Sequence, residues 1–230
     1  MRTVVTGANR GIGLELVRQL RDRGDDVDAC ARRPSDAHDL ARLAGDRVRL
    51  HPLDVTDPAS VRALAASLGD AAIDIVFNVA GIYQGRDRSL DEMADDLALH
   101  DLTATYDVNA TGALRVVVAL LPHVRRGTAR KLVHLSSNLG SISANTGGQY
   151  AYRMSKAALN MMSRSLAADL RGDGILSVVM NPGWVQTDMG GTDAPVPVAD
   201  SVRAILREVD RATLADSGEF LSWNGNRLAW

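Results

Sequence analysis

Cysteine is nearly absent from this sequence. Cys30 is the only one among 230 residues, so no disulfide can form within the chain. Long apolar runs are lacking too, because no stretch reaches the roughly 18 apolar residues that a membrane-spanning helix requires. The apolar run at the amino terminus is too short for a secretory signal. These absences predict a soluble, cytoplasmic protein that does not interact with a membrane.

A surplus of charge of either sign is also missing. The chain has 26 Lys and Arg against 28 Asp and Glu, a formal net charge of -2. The signs are mixed along the chain, so neither nucleic acid nor an anionic membrane is indicated as a partner. Lysine is rare, since only Lys131 and Lys156 occur. A lysine at a motif position therefore carries more weight here than in an average sequence.

Two common kinds of enzyme site find no support in the motifs. The histidines are His38, His51, His100, His123 and His134. None of them has metal-ligand spacing to another histidine, a cysteine or a carboxylate, so we expect no metal site. A Gly-x-Ser-x-Gly segment is absent as well, which argues against a serine hydrolase.

Short apolar runs alternate with longer periodic segments throughout the chain. Strands are predicted at 3–6, 27–31, 48–55, 73–79, 131–135, 175–180 and 219–221. Helices are predicted at 11–23, 35–43, 60–68, 90–124, 149–170 and 198–209, the fourth with a break near Thr103. This alternation predicts one α/β domain over 1–230, a doubly wound Rossmann fold. Its parallel sheet of about seven strands has helices on both faces. Ligands bind such a sheet beyond the carboxyl ends of its strands.

A glycine cluster follows the first predicted strand and leads into the first predicted helix. Its spacing, Gly7-x3-Gly11-x-Gly13, permits a tight turn and a close approach of the backbone to a pyrophosphate at a helix amino terminus. A glycine cluster alone is often only a turn, but its place between strand and helix favours a dinucleotide site. The predicted cofactor contacts here are Gly7, Asn9, Arg10, Gly11, Ile12 and Gly13.

The end of the second predicted strand carries arginines where an NAD site needs a carboxylate. Arg32 and Arg33 stand there, while Asp28 lies earlier, within the strand. An arginine at this place binds the 2′-phosphate of NADP through charge-assisted hydrogen bonds. Arg32 is the predicted phosphate ligand, and Arg10 could add a second charge. The alternative is a solvated surface pair, which applies more to Arg33.

The segment after the third predicted strand offers an adenine contact. Asp54 can accept a hydrogen bond from the adenine amino group, and Val55 can pack on the ring. The alternative is that Asp54 or Thr56 caps the next helix.

The segments after the fourth and sixth predicted strands complete the predicted cofactor site. Small residues there let the backbone approach a ligand, and an asparagine can tie adjacent strands. A plain turn is the alternative. The predicted contacts are Asn78, Ala80, Gly81, Pro182, Gly183, Val185 and Thr187.

A tyrosine and a lysine stand four residues apart on the fifth predicted helix. At this spacing Tyr152 and Lys156 share a helix face. Such a pair is common by chance, and its usual meaning is a surface pair. Tyr150 has no lysine at the same distance, because residue 154 is methionine. Ser136 and Ser137 follow the fifth predicted strand, where paired serines are often turn residues.

Taken together, the motifs resemble the short-chain dehydrogenase/reductase family, in its order and over nearly the whole chain. The matching motifs are Thr6-Gly7-x3-Gly11-Ile12-Gly13, Asp54-Val55, Asn78-x-Ala80-Gly81, Asn109, Ser137, Tyr152-x3-Lys156 and Pro182-Gly183. Segments 139–142, 147–153 and 182–191 are most similar to sniffer-type carbonyl reductases and C-factor-like bacterial proteins. Val79 departs from the pattern, which usually has a second polar residue there, so we expect altered strand tethering.

The resemblance implies NADP(H)-dependent reduction of an aldehyde, ketone or quinone by hydride transfer. Tyr152 would be the general acid/base and Lys156 would favour its phenolate and hold the nicotinamide ribose. Ser137, the second serine of its pair, would bind the substrate oxygen. Asn109 would anchor a water relay to Lys156.

Two other functions fit the same residues, namely a cofactor-binding signalling or regulatory protein of C-factor type and an NAD-linked alcohol dehydrogenase. The resemblance also implies a homodimer or homotetramer built on the long helices. The segment 188–198 is predicted to close over the substrate. The tail 223–230 is predicted to form a pocket wall or a subunit contact.

Overall fold

A computed structural model describes residues 1–84, 89–94, 97 and 99–230. Seven strands in this part of the chain form one sheet in the order β3-β2-β1-β4-β5-β6-β7, and every neighbouring pair is parallel. The strands are β1 (Arg2–Thr6), β2 (Asp26–Ala31), β3 (Val48–Pro52), β4 (Ile75–Asn78), β5 (Lys131–Leu135), β6 (Leu176–Asn181) and β7 (Phe220–Ser222). The predicted doubly wound α/β fold is confirmed.

The helices cover both faces of the sheet. They are α1 (Gly11–Asp22), α2 (His38–Ala41), α3 (Pro58–Leu68), α4 (Leu90–Ala94), α5 (His100–Tyr106), α6 (Gly112–Arg126), α7 (Tyr150–Asp169) and α8 (Val198–Arg211). Apolar side chains of α1 and α8 pack with one face, and those of α3 and α6 with the other. The strand order reverses between β1 and β4, which opens a crevice at their carboxyl ends.

The predicted fourth helix has a more complex form than its apolar spacing suggested. It comprises α4, α5, a π-helical turn at Asp107–Thr111 and α6, while residues 95, 96 and 98 lie outside the described part. The break predicted near Thr103 lies one turn earlier, at Leu99, which has a left-handed φ of 48°, and Thr103 itself lies inside α5. A second irregularity follows at the π turn, a form that is frequent at functional sites.

Two other helices, α2 and α3, differ from their predicted bounds. The helix expected at 35–43 is a 3-10 turn at Pro34–Asp36 followed by the single turn α2. Helix α3 begins at Pro58 and its cap is Asp57, whose side chain accepts from the Ala59 N–H at 2.8 Å. Neither of the two residues considered for that cap, Asp54 or Thr56, has the role.

In the described part of the chain, no helix combines the length and the apolar character needed to cross a membrane. Within the same residues, no cluster of three or more His, Cys, Asp or Glu side chains could hold a metal ion.

Candidate active site

The glycine loop between β1 and α1 has no room for a side chain at Gly7 or Gly13. Gly7 and Gly11 have φ angles of 67° and 53°, in the left-handed region. A Cβ on Gly7 would lie 2.8 Å from Ala80 Cα, and one on Gly13 would lie 2.2 Å from the Gly7 carbonyl oxygen. The loop therefore presents bare backbone at the amino terminus of α1, as a bound pyrophosphate requires.

Thr6 joins the glycine loop to the segment after β4. Its hydroxyl oxygen accepts hydrogen bonds from the N–H groups of Val79 at 3.0 Å and Ala80 at 3.1 Å. Sequence reasoning did not place Thr6 among the site residues, although it precedes the first motif glycine. Since the Val79 main chain supplies this link, an apolar side chain at that position is compatible with it.

Asn78 ties adjacent strands through a histidine that sequence analysis did not select. Its amide nitrogen lies 3.1 Å from His134 Nδ1, and His134 Nε2 lies 3.3 Å from Ser177 Oγ. The Asn78 nitrogen can only donate, so Nδ1 accepts and the ring proton lies on Nε2. Burial lowers the pKa of His134 to about 3, so the ring is neutral. The connection runs across β4, β5 and β6 beneath the crevice.

The acidic residue of β2 is not available to a nucleotide. Asp28 is fully buried and accepts from Arg2 at 2.8 Å, from Arg49 at 3.1 Å and from His51 at 2.9 Å. Its carboxylate thus connects β2 to β1 through Arg2 and to β3 through Arg49 and His51. The charged side chains that directly follow β2 are thus Arg32 and Arg33.

The three arginines near the predicted phosphate site differ in their partners. Arg10 forms an exposed ion pair of 2.8 Å with Asp188, and Arg33 lies 3.5 Å from Asp36. Arg32 is exposed, and in the described part of the chain no carboxylate forms an ion pair with it. This leaves Arg32 as the cation that can turn to a phosphate without breaking an existing pair.

Asp54 is held in a local turn beside Arg32. Its Oδ1 accepts from the Thr56 hydroxyl at 2.6 Å and from the Thr56 N–H at 2.9 Å. These two bonds lower the pKa of the Asp54 carboxyl, with a smaller contribution from the Arg32 charge. Val55 is buried beneath α6, where a Cβ on Gly112 would lie 2.7 Å from Val55 Cγ2. Asp54 is thus an ionised acceptor at the carboxyl end of β3.

Tyr152 and Lys156 are buried near the amino-terminal end of α7. The Lys156 ammonium lies 5.5 Å from the centre of the Tyr152 ring and donates to the Leu135 carbonyl oxygen at 2.7 Å. Burial lowers the pKa of Lys156 to about 8. Tyr150 is half-buried at the first position of the helix, and Met154, four residues on, is exposed. The geometry thus pairs a cation with Tyr152, as the spacing indicated.

The two serines after β5 have different roles. Ser136 is buried, and its hydroxyl donates to Asn160 Oδ1 at 2.6 Å, which fixes the loop on α7. Ser137 is half-buried, accepts from the Leu139 N–H and donates to Asn138 Oδ1, each at 3.2 Å. Because the buried Ser136 hydroxyl is already bonded to Asn160, Ser137 is the serine that can turn its hydroxyl to a ligand.

Asn109, in the π turn, connects α7 to the loop after β4. Its side chain accepts from the Ile82 N–H at 2.8 Å and donates to the Ile82 carbonyl at 2.9 Å and to Ser155 Oγ at 3.0 Å. A Cβ on Gly81 would lie 3.2 Å from Asn109 Oδ1 and 3.7 Å from Lys156 Nζ. Asn109 therefore lies beside Lys156, while its role in a water relay stays a prediction.

Tyr83 is a site residue that sequence reasoning missed. Its ring is stacked on the Tyr152 ring, with 4.2 Å between the ring centres and 25° between the planes. Tyr83 follows the Asn78–Gly81 motif, but no spacing rule connects it to Tyr152. The only sequence signal was the rarity of aromatic residues, which make up 4% of the chain.

The segment after β6 lies against the glycine loop. A Cβ on Gly11 would lie 3.3 Å from Thr187 Cγ2, and Val185 is buried and bridged to Val196. Gly183 has a φ of 85°, and a Cβ there would lie 2.6 Å from the indole nitrogen of Trp223. The tail therefore supports this segment at Trp223. Closure of the segment over a substrate stays a prediction.

These contacts bring the loops after β1, β4, β5 and β6 together at the carboxyl ends of the strands. The glycine loop, Arg32 and the carboxylate of Asp54 fit an extended phosphorylated dinucleotide, and the buried pair of Tyr152 and Lys156 lies beside Gly81 after β4. Proton transfer to a carbonyl oxygen is the chemistry that the pair supports.

The chain is similar to one known family and to solved structures of carbonyl reductases. The family model described as short chain dehydrogenase matches residues 2–195. The C-signal protein of Myxococcus xanthus is 44% identical over 171 residues, which cover 74% of this chain and 100% of that protein. The NADPH-bound carbonyl reductase from chicken fatty liver is 35% identical with a TM-score of 0.91, covering 100% of this chain and 98% of that one. The carbonyl reductase Sniffer of D. melanogaster is 31% identical with a TM-score of 0.92, covering 100% and 99%.

Proposed function

The chain belongs to the short-chain dehydrogenase family, and on this premise we propose that it is an NADP(H)-dependent oxidoreductase that reduces an aldehyde, ketone or quinone to an alcohol. The observation that carries the proposal is the buried pair of Tyr152 and Lys156 on one face of α7, with the Lys156 ammonium bonded to the Leu135 carbonyl two residues before Ser137. The similarity to the NADPH-bound chicken carbonyl reductase supports the choice of cofactor. Homodimer or homotetramer formation stays a prediction.

Each part of the crevice has a role toward the dinucleotide. The glycine loop would hold the pyrophosphate, Arg32 the 2′-phosphate, and Asp54 and Val55 the adenine. The remaining contacts would come from Ala80, Gly81, Pro182, Gly183, Val185 and Thr187. When bound, NADPH supplies the hydride.

The catalytic side chains handle the carbonyl oxygen and its proton. The Ser137 hydroxyl turns from Asn138 to donate to the oxygen, which stabilises the negative charge that develops there. The Tyr152 hydroxyl gives its proton to the same oxygen. The Lys156 ammonium stabilises the phenolate that remains, because an adjacent positive charge favours the ionised form of tyrosine.

A panel of aldehydes, ketones and quinones tests the activity directly. With NADPH, at least one class is expected to be reduced, with consumption of NADPH measured at 340 nm and the alcohol identified by mass spectrometry. The same panel with NADH separates this proposal from an NAD-linked alcohol dehydrogenase. Equal kcat/KM with the two cofactors would contradict the choice of NADP(H).

A second candidate function is signalling or regulation, which the 44% identity to C-signal favours. Tight NADPH binding without turnover of any compound in the panel would support it over the reductase.

Arg32→Ala is expected to weaken NADPH binding about tenfold or more and to leave NADH binding unchanged. The reason is that charge-assisted hydrogen bonds are worth about 1.5–3 kcal/mol, and only NADPH has the phosphate that receives them. Dissociation constants from nucleotide fluorescence check this without catalysis. Arg33→Ala is the matched control and should have little effect, because Arg33 is already paired with Asp36. Equal NADPH affinity in Arg32→Ala and the unmodified protein would remove Arg32 from the phosphate site.

A further inference from the structure

Tyr83 forms an aromatic wall directly beside the proton donor. Its ring lies 4.2 Å from the Tyr152 ring, centre to centre, at an angle of 25°. Such a stack covers one face of the Tyr152 ring and leaves no room for another ring between them. Tyr152 is only 8% exposed, whereas Tyr83 is half-buried and keeps part of its ring accessible. Because the two ring centres are only 4.2 Å apart, we expect a molecule bound at the Tyr152 hydroxyl to lie within contact distance of the Tyr83 ring.

The main chain at Tyr83 is anchored to the catalytic elements. Asn109 holds both the N–H and the carbonyl of Ile82, the residue immediately before Tyr83. Gly81 lies against Asn109 and Lys156 so closely that a Cβ would be 3.2 Å and 3.7 Å from their polar atoms. The residues of the site thus hold the main chain immediately before Tyr83.

An aromatic wall discriminates between substrates by the shape of the group next to their carbonyl. Flat unsaturated rings stack on a phenol face or edge, and such aromatic pairs gain stability beyond the area that they bury. A saturated ring of the same size is thicker and does not gain the stability of an aromatic pair. On the basis of the proposed reductase function, we propose that Tyr83 is a specificity-determining residue that favours carbonyls conjugated with flat rings, namely aryl aldehydes, aryl ketones and quinones.

A purely structural role for Tyr83 would give a different pattern. If the ring only held Tyr152 in place, its loss would slow every substrate by the same factor. If it contacts the substrate, its loss affects flat rings selectively. A matched pair of substrates separates the two, and benzaldehyde with cyclohexanecarbaldehyde is such a pair because they differ in ring unsaturation at the same ring size.

The experiment compares the unmodified protein with Tyr83→Leu and Tyr83→Phe. The ratio of kcat/KM for benzaldehyde to that for cyclohexanecarbaldehyde is expected to fall about fivefold in Tyr83→Leu, within the range that aromatic pairs contribute. Tyr83→Phe should keep the ratio, because it keeps the ring. Tyr106→Leu, at an exposed ring on α5, is the control and should leave both rates unchanged.

Binding of both aldehydes to the NADP⁺-loaded protein is measured in parallel by calorimetry. Selective binding that is lost in Tyr83→Leu supports the inference even if neither aldehyde is reduced. Absence of turnover over the whole panel of aldehydes, ketones and quinones would contradict the proposed function alone. Turnover with an unchanged ratio, or equal slowing of both aldehydes, overturns the inference and leaves the function standing. Failure of the unmodified protein to bind either aldehyde also overturns it.

Discussion

Tyr152→Phe is expected to lower kcat for carbonyl reduction by about a thousandfold while the protein still binds NADPH. The substitution removes the hydroxyl alone, and general acid catalysis by one group is worth about 10²–10⁴ in rate. Phenylalanine retains the ring that stacks on Tyr83, so the packing at the start of α7 is conserved. Steady-state kinetics measure the loss, and nucleotide fluorescence shows that the cofactor site persists.

The control for this substitution lies two residues earlier. Tyr150→Phe also removes one phenolic hydroxyl from α7, but Tyr150 has exposed Met154 where Tyr152 has Lys156. It is expected to retain full activity. An active Tyr152→Phe, or an inactive Tyr150→Phe with an intact fold, would refute the assignment of the proton donor.

The parts of the site that sequence predicted are those that depend on local geometry. A glycine cluster between a strand and a helix predicts a phosphate loop because its backbone angles favour glycine, and Gly7 and Gly11 have such angles. The spacing of Tyr152 and Lys156 places them on one face of any helix, whatever surrounds it. Both predictions depend only on residues that are close together in the sequence.

The parts that sequence did not predict depend on contacts between distant segments. The stack of Tyr83 on Tyr152 and the bond from Asn78 to His134 join residues that no periodicity relates. The π turn at 107–111 adds a residue to a helical turn, which an apolar pattern of period 3.6 cannot register. His134 has the appearance of an isolated polar residue in a buried strand until its two neighbours are known.

The positions of the carboxylates strengthen the choice of Arg32 as the phosphate ligand. The sequence excludes Asp28 only by its place before the end of β2. The structure gives a stronger reason, because Arg2, Arg49 and His51 already surround its buried side chain. Arg10, however, is paired with Asp188 and would have to exchange partners to reach a phosphate. The second positive charge considered for that phosphate is therefore a weaker ligand than Arg32.

Lys156→Met is expected to reduce kcat by about a thousandfold and to remove a pH dependence near pH 8. The Lys156 ammonium stabilises the phenolate that forms when Tyr152 gives up its proton, and methionine fills a similar volume without charge. An ordinary lysine keeps its proton to about pH 10. Burial lowers the pKa of Lys156 to about 8, so its charge is present at neutral pH and is lost as the pH rises through 8. Reduction by the unmodified protein should therefore slow above that pH.

The only other lysine provides the control for this titration. Lys131 is also partly buried, burial also lowers its pKa, and its ammonium donates to a main-chain carbonyl, that of Val209. It lies at the opposite, amino-terminal end of β5, so Lys131→Met should leave kcat and its pH profile unchanged. The measured inflection belongs to the coupled tyrosine–lysine pair and should fall within about one unit of 8. An inflection that persists in Lys156→Met would assign the titration to another group and separate Lys156 from the proton transfer.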